Sequence, residues 1–355
     1  MTVSLGIPRL VTPASGGLHD QFGRQATDMR LSLTDKCNLR CTYCMPADGM
    51  DWLSKAKLMS ADEIVRIVNI GVDQLGVREL RLTGGEPLVR MDLEYILSSI
   101  RAAQPDLPIS LTTNAVGLEK RAAGLKAAGL TRINVSLDSL HSETFTTLTR
   151  RPFLEKVLRG IDAAASVGLG PIKINAVLLR GINDAEAPEL VEWAVTKGYE
   201  LRFIEQMPLD EDHVWTRDGM ITAGEIRSSL QARFDLSPDP RDRDGAPADR
   251  WEVRRPGAVG DPLGVIGIIA SVTEPFCTDC KRTRITADGK VMACLFSHDE
   301  TPLLPLMRNG GTDADVAQRW REAMWLKPKA HGMDHAGLGD ATYVQPDRSM
   351  SAIGG

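Results

Sequence analysis

From Met29 onward, short apolar stretches alternate with longer segments whose apolar residues recur every three or four positions. Six of the short stretches read as strands: "MRLSLT" (29–34), "ELRLTG" (79–84), "PISLTTN" (108–114), "RINVSLD" (132–138), "IKINAVL" (172–178) and "ELRFIEQM" (200–207). Helical patterns fall between them, near 61–75, 92–103, 117–128, 154–167 and 185–197. The first opens on "SADEIVRIV", where Ser60 and Glu63 have the spacing of a capping box. Alternation at this spacing predicts parallel strands joined by right-handed crossovers. Six such units predict an α/β fold built as a partial (β/α)6 TIM-type barrel.

The rhythm stops after the sixth strand. The stretch "SPDPRDRDGAPADR" (237–250) is charged and Pro-rich, and reads as a loop or linker. Strands are predicted around 250–254, 263–269 and 284–286, and a helix over about 312–326. The organisation is therefore an irregular N-terminal segment (1–27), a barrel (28–236), the linker, and a C-terminal α+β extension (251–355).

Composition mostly excludes. The 355 residues are 43% apolar and 25% charged, enough for a sizeable core. A net charge of −5 without a long basic run argues against nucleic acid or a membrane surface as a partner. The longest apolar run, "VIGIIASV" (265–272), is too short to span a bilayer. The N-terminus lacks the charged start and apolar block of a signal peptide. A cytoplasmic setting follows, in which the six cysteines remain reduced rather than disulfide-bonded.

Those cysteines form two triplets. Cys37-x3-Cys41-x2-Cys44 lies in the loop after the first strand, where parallel barrels place their chemistry. Thiolates this close suit a zinc ion or an iron–sulfur cluster. Structural zinc wants four closed ligands, and no fourth Cys or His stands nearby. A [4Fe–4S] cubane on three thiolates leaves one iron open. Cys277-x2-Cys280-x13-Cys294 uses the remaining three thiols. His298 makes a Cys3His zinc site the alternative there to a second [4Fe–4S] cluster. Just past Cys280 stand Arg282, Thr283 and Arg284, a basic segment suited to bidentate binding of phosphate.

The first triplet, with Tyr43 before its last cysteine, is joined by "LTGGEPLVR" after the second strand. Together they resemble the radical S-adenosylmethionine enzymes. The resemblance implies that the open iron chelates the methionine moiety of the cofactor. One electron from the reduced cluster then breaks a C–S bond and yields a 5′-deoxyadenosyl radical. In that setting Gly84 and Gly85 let the backbone approach the cofactor's amino group closely.

Two three-cysteine clusters in one barrel resemble, more narrowly, the GTP 3′,8-cyclase family of molybdenum cofactor biosynthesis, over Met29 to Gly355. This implies a lyase that converts GTP to (8S)-3′,8-cyclo-7,8-dihydroguanosine 5′-triphosphate, with S-adenosyl-L-methionine and two [4Fe–4S] clusters as cofactors. Position by position, Tyr43, Gly84, Gly85, Glu86, Ser136 and Met207 correspond to cofactor-binding residues. Arg30, Arg81, Thr112, Lys173, Arg282, Thr283 and Arg284 correspond to contacts with GTP. Arg282 and Arg284, with the terminal Gly354 and Gly355, correspond to the catalytic apparatus. The resemblance also implies an electron donor, hand-over of product to cyclic pyranopterin monophosphate synthase, and a monomer or homodimer. His331 and His335 read as structural, because Pro328 and Gly332 interrupt any regular helix there. Two rivals remain: a peptide-modifying radical enzyme, which would bring more cysteines to its auxiliary cluster, and a zinc-stabilised binding protein without catalysis.

Overall fold

Period-2 alternation along the barrel strands has put apolar residues on one face and polar ones on the other. The computed structural model describes residues 13–331, 345–346 and 348–354. A small ribbon of β1 (Leu18–His19) and β2 (Gln25–Ala26) precedes the predicted barrel strands: β3 (Asp28–Ser32), β4 (Glu79–Thr83), β5 (Ile109–Thr113), β6 (Arg132–Ser136), β7 (Lys173–Val177) and β8 (Glu200–Ile204). Met29, Leu31, Leu80, Leu82, Ile133 and Val135 are buried in the layer under the helices. The alternate residues, among them Arg30, Arg81, Thr112, Ser136, Asn175 and Arg202, line a cavity in the lumen.

The predicted helices are present as Ala61–Leu75, Leu93–Ala103, Leu118–Ala127, Leu154–Ser166, Ala187–Thr196 and Asp313–Trp325. Ser60 and Glu63 close the expected capping box, and Gly76 ends that helix at φ 74° in the left-handed region. Two further helices lie at Ser142–Thr149 and Ala223–Gln231. The first, "SETFTTLT", is rich in β-branched and hydroxylated residues of low helix propensity.

The C-terminal region continues the barrel sheet rather than standing apart from it. It contributes β9 (Asp235–Pro238), β10 (Asp249–Arg254), β11 (Gly264–Ile269), β12 (Arg282–Ile285), β13 (Lys290–Met292) and β14 (Thr301–Pro302). β11 pairs in parallel with β8, and β12 pairs in parallel with β3. Both open edges of the six-strand barrel are thereby covered, within one sheet of 12 strands. The predicted linker 237–250 is shorter than expected: its ends belong to antiparallel β9 and β10, and residues 239–248 connect them. The N-terminal segment is not wholly irregular either, since β1 and β2 pair antiparallel. Strands of two residues leave no periodic trace in a sequence.

The register has one consequence for chemistry. Arg284 of β12 lies opposite Arg30 of β3, which lies opposite Arg81 of β4. Three guanidinium side chains thus start from one row across the lumen. No helix among the described residues is long and apolar enough to cross a membrane.

Candidate active site

The loop carrying the first triplet is held down by glycine. A Cβ on Gly85 would come within 2.4 Å of the Asp35 carbonyl oxygen and 2.5 Å of that of Lys36, and one on Gly84 within 2.5 Å of that of Thr34. The segment before Cys37 crosses directly over the Gly-Gly turn, with Gly85 N–H donating to Thr34 (2.7 Å) and Glu86 N–H to Lys36 (2.8 Å). Packing against the cysteine loop is thus a second requirement for glycine at both positions, beside the close approach to a ligand expected of them. Arg40 donates to the carbonyls of Cys37 (2.7 Å) and Leu39 (2.8 Å), and Arg150 to that of Met45 (2.9 Å). Cys37, Cys41 and Cys44 line one cavity together with Tyr43, Gly84, Gly85 and Ser136.

Glu86 is absent from that lining and has no exposed surface. Its carboxylate accepts from Leu88 N–H (2.9 Å), the Thr113 hydroxyl (2.7 Å) and Asn114 N–H (2.6 Å). The Asn114 amide in turn donates to Asn38 (2.7 Å) and the Cys37 sulfur (3.8 Å). Glu86 thus acts on the loop through Asn114, and its expected direct contact with cofactor is replaced by a supporting role. Burial raises its carboxyl to about 7 despite those donors. Burial also raises the thiols of Cys37 to about 12 and Cys44 to about 11, so ionisation there calls for a cation alongside.

The lumen cavity holds about 240 Å³, and Cys277, Cys280 and Cys294 line it together with Arg30, Arg81, Arg202, Arg282 and Arg284. Among the described residues, Arg30 and Arg202 have a carboxylate within 4.0 Å, Asp28 and Glu200 respectively. Buried nitrogens of Arg30, Arg81, Arg202 and Arg282 lack any hydrogen-bond partner, as does Asn175 Oδ1. Desolvation and mutual repulsion depress the guanidinium of Arg30, and that of Arg284 to about 10. Such a set is incomplete without an anion. Arg282 lies 4.5 Å from the Phe276 ring centroid. Burial would raise the Cys280 thiol, but Arg282 and Lys327 outweigh it and bring it down to about 6.

The two cavities share Tyr43, Thr112, Ser136, Asp138 and Met350. The Tyr43 hydroxyl donates to Asp138 (2.6 Å), whose carboxyl burial raises to about 6. Met207 lines the lumen cavity. The C-terminal helix Met350–Ile353 feeds Gly354 against Thr83 and Ser32, and Gly354 O accepts from Arg284 (3.3 Å). Gly355 and His335 lie outside the described residues.

Three expectations for side chains change. Thr283 faces away from the cavity, because it alternates with Arg282 and Arg284; its hydroxyl accepts from the buried Trp320 indole (2.9 Å). Lys173 does not line the cavity, and instead pairs with Glu200 (3.0 Å) below it. His298 is exposed and outside the lining, whereas His331 lines the cavity with its ring 4.7 Å from that of Phe296. Arg202 is the residue the sequence reading missed. It is a charged residue inside the apolar strand "ELRFIEQM", and that charge in an inward-facing register is the signal that could have found it.

All six cysteines are free and partly buried, and each triplet lines one cavity. Among the described residues no three His, Cys, Asp or Glu side chains converge as a single-ion site needs. A four-iron cluster holds its thiolates further apart, and the donor sets fit one such cluster each.

A parallel partial barrel with a three-cysteine loop above β3 and a Gly-Gly-Glu-Pro turn above β4 defines a radical SAM protein. The family models for the Radical SAM superfamily and for Molybdenum Cofactor Synthesis C match residues 31–194 and 199–333. The crystal structure of Streptococcus suis SuiB bound to S-adenosylmethionine shares the fold, with a TM-score of 0.57 at 15% identity over 79% of this chain and 64% of that one. Within that class the chain belongs to the GTP 3′,8-cyclase family. It is 70% identical over 347 residues to the GTP 3′,8-cyclase of Paenarthrobacter nicotinovorans, covering 96% of this chain and 98% of that one. Identity to the Streptomyces coelicolor cyclase is 54% over 339 residues, covering 95% and 96%.

Proposed function

We propose that this chain is itself a GTP 3′,8-cyclase. It converts GTP to (8S)-3′,8-cyclo-7,8-dihydroguanosine 5′-triphosphate, the first step of molybdenum cofactor biosynthesis, with S-adenosyl-L-methionine and two [4Fe–4S] clusters. Cys37, Cys41 and Cys44 hold one cluster and Cys277, Cys280 and Cys294 the other. The first cluster with its bound cofactor supplies one-electron cleavage of a C–S bond and thereby a radical able to remove the hydrogen from ribose C3′.

The observation that carries the substrate assignment is the buried guanidinium set of Arg30, Arg81, Arg202, Arg282 and Arg284, with nitrogens left unpaired beside the second triplet. A triphosphate supplies the charge and the acceptor oxygens this set lacks. Arg30, Arg81 and Arg284, neighbours in register, take the phosphates, while Arg202 and Asn175 close the side nearer β7 and β8. The purine end then lies toward Cys277, Cys280 and Cys294, and the ribose beneath the elements shared by both cavities: Thr112, Ser136 and Tyr43. The protein's contribution to cyclisation is to fold C3′ and C8 of one substrate together and exclude water. Tyr43, Gly84, Gly85, Ser136 and Met207 form the cofactor side, and Gly354 closes the site against Arg284. An external donor supplies electrons, and the product passes to cyclic pyranopterin monophosphate synthase.

The test uses anaerobically reconstituted, reduced protein with S-adenosylmethionine and GTP deuterated at C3′. Expected products are 5′-deoxyadenosine carrying that deuterium and the cyclised triphosphate. Turnover with other nucleotides but not GTP rejects the assignment. Replacing Arg284 with Leu should raise KM for GTP about 10- to 100-fold, the loss of one charge-assisted contact of ~1.5–3 kcal/mol.

A further inference from the structure

Helix Asp313–Trp325 ends just short of Lys327, which is only 4% exposed. A lysine so deeply placed is uncommon without a partner. Its ammonium has three N–H groups, and three acceptors surround it: Arg282 O at 2.7 Å, Cys280 Sγ at 3.2 Å and Cys280 O at 3.3 Å. Both carbonyls are backbone groups, so the one acceptor able to carry charge is the cysteine sulfur. The position of Lys327 is secured from the other side. Arg24 donates to Cys277 O (2.6 Å), to Pro328 O (2.6 Å) and to Lys329 O (2.9 Å), tying the segment after Lys327 to the second cysteine loop. Lys327 has no hydrogen bond to Cys37, Cys41 or Cys44 among the described residues.

We propose that Lys327 is a positioning residue for the second cluster. Its ammonium holds the Cys280 sulfur in the ligating orientation and makes that cluster easier to reduce than a neutral residue would. The proposal rests on reading Cys277, Cys280 and Cys294 as the ligands of a [4Fe–4S] cluster. Reduction adds one electron, and with it one negative charge, to the cluster and its thiolates. A fixed cation and an N–H···S bond favour the more negative state, and both raise the reduction potential. Burial strengthens the effect, because little water or salt reaches the ammonium to screen it. Among the described residues no lysine is hydrogen-bonded to the first triplet, so the effect is confined to one of two clusters in the same molecule.

The experiment is a redox titration followed by electron paramagnetic resonance on the anaerobically reconstituted holoenzyme. The first cluster is recognised by the change of its signal when S-adenosylmethionine is added. In Lys327→Met, which keeps length but removes charge and donors, the midpoint of the second cluster should move to more negative potential while that of the first stays put. Lys327→Arg should remain near the wild type. Loss of about four of eight irons in Lys327→Met, with retention in Lys327→Arg, equally supports positioning of Cys280. Unchanged midpoints in fully loaded Lys327→Met overturn the proposal. So does an equal shift of both clusters, or loss of the second cluster in the Arg variant as well. A wild type that holds only about four irons, all at the first triplet, instead rejects the two-cluster reading on which the proposal stands.

Discussion

Glu86 is a carboxylate that neither cavity reaches, yet it organises the first cysteine loop. One oxygen accepts from Leu88 and Thr113, the other from Asn114. A glutamine there keeps one acceptor but turns an NH2 toward one of these donors. Glu86→Gln should therefore lower stability by about 1–3 kcal/mol, the cost of leaving a buried donor unsatisfied. The pH dependence has a definite sign. The carboxyl is raised from 4.5 to about 7 in the folded protein, so its contribution is full below pH 4.5 and is lost as pH rises through 7. Glutamine, which does not titrate, lacks that slope. The stability gap between wild type and Glu86→Gln should narrow as pH is raised across this window. Anaerobic thermal melts of the two proteins from pH 5 to 8 check this, and a gap that widens or stays constant contradicts the assignment.

Strand β12 has two faces with separate duties. Arg282 and Arg284 point into the lumen, whereas Thr283 receives the Trp320 indole N–H in the outer layer. Thr283→Val keeps the shape and removes the acceptor, leaving a fully buried donor alone. Stability should fall by about 1–3 kcal/mol while KM for GTP stays within about twofold of wild type. Denaturant unfolding and steady-state kinetics on the same preparation separate the two, and a large KM change would place the hydroxyl in the site after all. The six barrel strands and both cysteine triplets were legible in the sequence, but this division of faces was not drawn from it: Thr283 was grouped with Arg282 and Arg284 as a GTP contact, although the R-T-R alternation carries the signal. Period and spacing are local properties. Parallel pairing of β11 with β8 and of β12 with β3 was not legible, because pairing joins residues far apart in the chain. For the same reason the Arg284–Arg30–Arg81 row could be listed from sequence but not assembled. Lys173 illustrates the limit of correspondence by position: the resemblance gave it as a GTP contact, and the structure pairs it with Glu200.

At the scale of the whole molecule, the first and last described segments each contact residues that line the lumen built by the central strands. The tail enters through Met350–Ile353, setting Gly354 against β3 and β4. The N-terminal ribbon enters through Arg24, which is paired with Asp20 and reaches the carbonyls of Cys277, Pro328 and Lys329. One side chain thus joins the start of the described chain, the second cysteine loop and the segment that delivers Lys327. Nothing comparable ties Arg24 to the first triplet. Arg24→Ala leaves Asp20 without its partner and frees three carbonyls, a change of about 3–5 kcal/mol when a buried pair loses one member. The damage should be asymmetric. Iron should fall from about eight to about four per chain, with reductive cleavage of S-adenosylmethionine retained and GTP cyclisation lost. Iron analysis and product analysis on the same sample decide it. A variant that keeps both clusters and full cyclisation would mean that the cysteine loop is held by the sheet alone, since Cys277 would then keep its place without the ribbon.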